Sequence, residues 1–146
     1  MKTDKRPPRW VAVVLVVLGV LALSNGLEML LAPVWWYQSV PGVPETGPLN
    51  AHLVADGGTF NIPIGLGLIL AARDPHRNVL MIAIAAGAGV LHSCLHLYSH
   101  AAGLLSLDHL ATEFFGIYIP AALLVALSAI VLKQPPAAAG DFQAVV

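Results

Sequence analysis

Four long apolar runs constrain this chain more than any other feature of its sequence. They cover residues 10–32, 51–72, 78–99 and 107–132. Each holds the roughly 20 residues that a helix needs to cross a hydrocarbon core about 30 Å thick. Lipid offers backbone groups no hydrogen-bond partner, so only helices and closed barrels can span it, and these continuous runs lack the alternation of barrel strands. The sequence therefore predicts an all-α, four-helix transmembrane bundle.

The composition supports a membrane protein with one structural domain. Hydrophobic residues make up 58% of the chain and charged residues 10%, whereas soluble domains usually carry about 25% charged residues. The net charge is −1 and no basic patch is present, which argues against nucleic acid as a partner. We expect residues 1–133 to form the domain, in contact with the lipid bilayer, and residues 134–146 to form a flexible C-terminal tail.

The positions of the basic residues predict the orientation of the bundle. They precede the first run, lie between the second and third, or follow the fourth: Lys2, Lys5, Arg6, Arg9, Arg73, Arg77 and Lys133. The other two loops, 33–50 and 100–106, contain no Lys or Arg. By the positive-inside rule, both termini are cytoplasmic and the proline-rich loop 33–50 is extracytoplasmic, in the inner (plasma) membrane. An N-terminal signal peptide is the alternative, but the first run is longer than a typical signal sequence.

Ionisable side chains occur in pairs inside the last three runs. His52 pairs with Asp56, His92 with His96, and His109 with Glu113. A spacing of four places both members of a pair on one helix face. An ionisable group inside a membrane helix costs several kcal/mol, about 2.5–3.5 on insertion scales, so such groups are candidates for function.

The paired residues fall at matching depths. We counted the depth of each residue from the extracytoplasmic end of its run, with a helical rise of about 1.5 Å per residue. The side chains then fall into two layers, one about 7–10 Å deep and one a helical turn closer to the membrane surface. The deeper layer holds Asp56, His92 and Glu113, and the shallower layer holds His52, His96 and His109. Glu28 lies about 6 Å from the end of the first run. We therefore predict that these side chains meet in one pocket.

Imidazole and carboxylate groups together are typical ligands of Zn, Cu or Fe. A metal ion would also neutralise carboxylates that are costly to place in lipid. The leading hypothesis is a site for one or two transition-metal ions, with metal-dependent catalysis left open. Its candidate ligands are His52, Asp56, His92, His96, His109, Glu113 and Glu28. His100 is interpreted as a residue of the outer loop, and Cys94, which points to another face than His92 and His96, as a packing residue.

Two other functions remain open from the sequence. The chain is small and has glycine-rich helices, which suits an accessory subunit of a larger respiratory, photosynthetic or oxygenase complex, or a homo-oligomer. A haem b protein with two histidine ligands on facing helices is the third hypothesis, although the carboxylates beside the histidines argue against it. In either case Asp56 and Glu113 would be hydrogen-bond partners of the histidines.

Part of the chain resembles a family of small bacterial four-span membrane proteins to which no activity is assigned. The resemblance lies in a loop pattern, a His-x-x-x-His on the third helix and an acid before a proline on the fourth. Its residues are Trp36-Tyr37, Pro41-Gly42-Val43, Thr46-Gly47-Pro48, Asn50, His52, Asp56, His92, His96, Glu113 and Pro120-Ala121. It covers roughly residues 25–121, leaves Glu28 outside the pattern, and implies a four-helix fold without implying a reaction.

The orientation can be tested by cysteine labelling of intact cells. In a Cys94→Ala background, a membrane-impermeant maleimide should modify a cysteine introduced at Gly47 and should leave one at Asp74 unmodified, because the two positions lie on opposite sides of the bilayer. The reverse labelling pattern would contradict both the orientation and the depths counted from it.

Overall fold

The computed structural model describes residues 8–133 and is helical throughout its regular elements. Helix α1 covers Arg9–Leu31, α2 Pro33–Ser39, α3 Ala51–Ala71, α4 Val79–Ala101, α5 Leu110–Glu113 and α6 Ile119–Lys133. Short 3-10 turns lie at Val43–Thr46 and Leu107–His109, and a π-helical turn at Phe114–Tyr118 joins α5 to α6. Three of the basic residues used for the orientation (Lys2, Lys5 and Arg6) and the predicted tail lie outside the described residues.

The predicted four-helix transmembrane bundle is confirmed. Four helical segments are long and apolar enough to cross a membrane: Arg9–Leu31, Ala51–Ala71, Val79–Ala101 and Leu107–Lys133. Their bounds agree with the predicted runs to within two residues. The largest difference is at the end of α4, which continues to Ala101 and so includes His100, a residue that the sequence analysis had placed in a loop. The protein is therefore a membrane protein in contact with lipid.

Local sequence signals account for the main helix boundaries. Pro33 occupies the first position of α2, where its missing N–H is not needed, and α1 ends two residues earlier. The Asn50 side chain accepts a hydrogen bond of 3.1 Å from the Leu53 backbone N–H, which caps the start of α3. At the opposite end of α3, Asp74 accepts a hydrogen bond from the Arg77 backbone N–H within the turn that leads to α4.

Helices α1 and α3 pack backbone to backbone through glycines. A Cβ atom on Gly65 would lie 2.5 Å from the Leu23 nitrogen and 2.6 Å from the Gly19 carbonyl oxygen. At Gly58, a Cβ would lie 2.6 Å from the Gly26 carbonyl oxygen. Membrane helices gain no hydrophobic driving force from one another, so this close approach supplies the van der Waals contact that holds them together.

The bundle consists of two helix pairs, α1 with α3 and α4 with α6, and the buried apolar core that they share lies toward one end. We call the end with the 72–78 turn the turn end, and the opposite end the loop end. The residues of the buried hydrophobic core all lie in the turn-end half of the bundle: Val11, Leu15, Leu18, Leu68, Ala71, Ile82, Ala85, Ala86, Leu124, Leu127 and Val131. Near the turn, the Met81 methyl group reaches Gly67 and connects α4 to α3.

The glycine contact predicts a difference between two Gly→Ala variants. Gly65→Ala should lower the unfolding temperature in detergent, because the new methyl group meets backbone atoms and overpacking costs about 1–3 kcal/mol. Gly87→Ala is the matched control, since nothing lies within 4 Å of its Cβ position, and it should be neutral or slightly stabilising. Equal unfolding temperatures for the two variants would contradict the backbone packing of α1 on α3.

Candidate functional site

The Glu113 carboxylate is the centre of a polar cluster between α4 and the fourth span. His100 Nε2 lies 2.8 Å from Glu113 Oε2, and His96 Nδ1 lies 3.0 Å from Oε1. Tyr118 donates its hydroxyl to Oε2 at 3.3 Å. The Glu113 and His100 side chains are 10% and 5% exposed, so water contributes little to their solvation and the side chains must partner one another. We call these four residues the Glu113 cluster.

Within the Glu113 cluster, His96 is held close to the carboxylate without a well-directed hydrogen bond. Its Nδ1 atom is buried and has no hydrogen-bond partner, although Glu113 Oε1 is only 3.0 Å away. A buried nitrogen that lacks a directed partner is uncommon in folded proteins. His96 is therefore held less firmly than His100, which contacts both Glu113 and the Leu105 carbonyl oxygen at 3.3 Å.

The π-helical turn places Tyr118 beside Glu113. Residues five apart in an α-helix lie about 140° apart around the axis, which would turn Tyr118 away. Here the Ile119 N–H donates to the Phe114 carbonyl oxygen, five residues back, and the wider turn brings the two side chains together. Pro120 accounts for the irregularity, because it has no N–H to donate and its ring crowds the carbonyl four residues earlier. Single π turns often lie at functional sites.

His92 extends the row of histidines on α4. Its ring centroid is 4.7 Å from that of His96, with the rings edge to face. His92, His96 and His100 follow each other at intervals of four, so all three lie on one helix face. Unlike the other two, His92 is exposed and does not reach Glu113.

His109 is bound to the loop that follows α2. Its Nε2 lies 2.6 Å from Glu45 Oε2. Gly42, with φ of 83°, packs against the same ring, where a Cβ would lie 3.1 Å from His109 Nδ1. Tyr37 donates its hydroxyl to the Gly47 carbonyl oxygen at 2.6 Å, which holds the other side of the loop to α2. Residues 42–47, which we call the strap, thus connect the two helix pairs at the loop end.

The remaining predicted ligands lie apart from the Glu113 cluster. His52 Nε2 and Asp56 Oδ2 are 3.4 Å from each other on α3, with side chains 87% and 53% exposed. Glu28 is exposed on α1. The structure therefore brings His96 to Glu113, leaves His92 beside His96 but short of the carboxylate, and gives His109 a different partner. His52, Asp56 and Glu28 are exposed on α3 and α1. Depth along a helix does not specify the direction in which a side chain points, which is why the single predicted pocket is only partly formed.

Three contributing residues were absent from the predicted set. The sequence did carry a signal for His100, because it continues the spacing of four from His92 and His96, but the predicted helix ended one residue too early. Tyr118 is five residues from Glu113 and reaches it only through the π turn. Glu45 is 64 positions from His109, and no local pattern connects the two.

The arrangement can exchange protons and can offer nitrogen and oxygen ligands from two helices. Within residues 8–133, no three His, Cys, Asp or Glu side chains are already arranged around one point as metal ligands. His96 and His100 instead approach different oxygens of the same carboxylate. Small rotations of these side chains are needed before one ion could contact both histidines and Glu113.

Comparison with known proteins adds no relative to this description. No family model, curated protein or solved structure matches the chain. Functional interpretation therefore depends on the geometry of the Glu113 cluster and of the surfaces around it.

Proposed function

We propose that this membrane protein binds a transition-metal ion, Zn, Cu or Fe, through His96, His100 and Glu113, with His92 beside them. The proposed ligands are imidazole nitrogens and carboxylate oxygens, the set that these ions accept. Bound metal would neutralise the Glu113 carboxylate, which lies in a span where an uncompensated charge is costly. Tyr118 would orient the carboxylate through its hydrogen bond to Oε2, as outer-shell partners of metal sites do.

The separation of the donor atoms is the observation that carries this proposal. Two ligand atoms about 2.0–2.1 Å from one ion lie about 2.8–3.4 Å apart at octahedral or tetrahedral angles. The nitrogens of His96 and His100 lie 3.0 and 2.8 Å from the oxygens of Glu113, close to that separation. Since His96 Nδ1 is buried and its contact with Glu113 is not a well-directed hydrogen bond, a metal ion would give this nitrogen a better-directed partner.

The geometry favours a metal ion over haem b. A haem iron with two axial histidines needs them on opposite sides of the ring. His92, His96 and His100 share one helix face, and the histidine of the fourth span, His109, is bound to Glu45. A carboxylate between the histidines also suits a small cation better than a flat apolar ring.

We further propose an inner-membrane location with both termini cytoplasmic, which places the loop end and the Glu113 cluster on the outer side. The support is the distribution of basic residues: Arg73 and Arg77 flank the short turn, and Lys133 ends the last span at the same end of the bundle. The strap and the loop after α4 contain no Lys or Arg, as expected of outer loops.

Metal analysis of purified variants tests the proposal. Protein purified in detergent without chelator and reconstituted with Zn²⁺ should bind stoichiometric metal by mass spectrometry. His96→Ala, His100→Ala and Glu113→Ala should each reduce occupancy strongly, because each removes a proposed ligand, and even the loss of an outer-shell partner typically costs about 10–100-fold in affinity. The same elution volume for variant and wild type shows that the fold is retained.

Two controls distinguish a specific site from surface binding. His76→Ala removes a histidine from the turn end, and Cys94→Ala removes the lone thiol, which is exposed. Both should retain full occupancy. The proposal is wrong if wild-type protein takes up no metal at micromolar Zn²⁺, Cu²⁺ or Fe²⁺, or if His76→Ala loses as much metal as His96→Ala.

A further inference from the structure

A cavity beside the strap borders one of the proposed metal ligands. Its volume is about 250 Å³, and its lining comes from the strap, from α4 and from the loop after α4: Thr46, Leu95, His96, Ser99, Leu104 and Leu105. A cavity needs about 10–15 Å³ to hold one water molecule, so this one has room for a metal ion together with several of its water ligands. His96 belongs both to this lining and to the Glu113 cluster.

The exposures of the proposed ligands indicate how an ion would reach them. The side chains of His100 and Glu113 are 5% and 10% exposed, whereas that of His96 is 21% exposed. His96 is thus the most accessible of the three, and it is the one that borders the cavity. An ion that approaches from the loop end through the cavity therefore meets His96 first.

The strap is firmly attached on the side of α1 and α3. The Tyr37 hydroxyl lies 2.6 Å from the Gly47 carbonyl oxygen and 3.2 Å from that of Pro44, which fastens the strap to α2. The Trp36 indole N–H donates to the Asn25 side-chain oxygen at 2.8 Å, and this hydrogen bond fastens α2 to α1. These contacts fix the strap to one helix pair independently of the other.

The attachment of the strap to the fourth span is weaker. It consists of the 2.6 Å contact of Glu45 with His109 and of the packing of Gly42 on the same ring. The Glu45 side chain is 60% exposed, and ion pairs exposed to water contribute little to stability. The strap also begins and ends with glycines of positive φ, 83° at Gly42 and 137° at Gly47, and glycine changes its backbone angles at low cost. If the strap opens, it therefore releases His109 first.

We propose that the strap is a gate beside the cavity, held shut by the contact of Glu45 with His109, and that it controls how fast a metal ion reaches and leaves His96. This inference rests on the metal-binding proposal. Glu45 is not a ligand in this scheme. Its loss therefore speeds the entry and the release of the ion by the same factor and leaves the affinity unchanged.

Thiol labelling of the metal-free protein tests whether the strap opens. Ser99→Cys, in a Cys94→Ala background, places a thiol in the cavity lining. In lipid nanodiscs, Glu45→Ala should raise the rate of its modification by a cationic methanethiosulfonate about two- to fivefold, the scale of one exposed ion pair. Removal of the carboxylate alone would slow a cationic reagent, so a faster rate reports opening of the strap.

Asp108→Asn is the matched control for the labelling. It removes a carboxylate next to His109 in the chain, and that carboxylate accepts a hydrogen bond from the Ser106 hydroxyl at 3.3 Å. The variant should not raise the labelling rate. An unchanged rate in Glu45→Ala, or an equal rise in Asp108→Asn, would overturn the inference.

The release of zinc into excess chelator tests the role of the gate in metal exchange. Glu45→Ala should release zinc about two- to fivefold faster than the wild type, with an unchanged dissociation constant, and Asp108→Asn should match the wild type. Wild-type protein that takes up no zinc would contradict the metal-binding proposal itself. Zinc uptake with equal release rates in the wild type and Glu45→Ala would overturn the gate alone, as would a loss of bound zinc in Glu45→Ala as large as in His96→Ala.

Discussion

The Glu113 carboxylate imposes the constraint on which the loop-end half of this bundle depends. A carboxylate in a transmembrane span is costly unless other groups neutralise it or bond to it. The chain meets this requirement with His96, His100 and Tyr118, which come from α4 and from the far side of a π turn. Hydrogen bonds and ionic contacts thus join α4 to the fourth span at the level where apolar packing ends.

The two halves of the bundle therefore have different physical roles. At the turn end, aliphatic side chains such as Leu15, Leu68 and Leu127 fill a close-packed core, and glycines bring α1 onto α3. At the loop end, the helix pairs are connected by polar contacts and by the strap. Close-packed interiors deform little, so the turn end provides a rigid base, and the proposed metal site lies in the opposite half of the bundle.

The sequence predicted the four spans well because hydrophobic length and backbone hydrogen bonding leave few alternatives in lipid. It also placed His96 beside Glu113 and His92 beside His96, because depth and a spacing of four can be counted along each helix. It did not predict that Asp56 would lie outside the cluster, because depth does not specify direction around the bundle. Nor could it predict the contacts of Tyr118 and Glu45, which depend on a π turn and on the tertiary course of the strap.

The most direct test of the account is X-ray absorption spectroscopy of the zinc-loaded protein at the metal K-edge. We predict a first shell of nitrogen and oxygen atoms at about 2.0–2.2 Å from zinc, with the outer-shell scattering of at least two imidazole rings. In the Glu113→Ala variant, any zinc that remains bound should have a first coordination shell that differs from that of the wild-type protein. A spectrum of the wild-type protein without imidazole scattering, or with a sulfur ligand at about 2.3 Å, would contradict the assignment of the Glu113 cluster as the metal site.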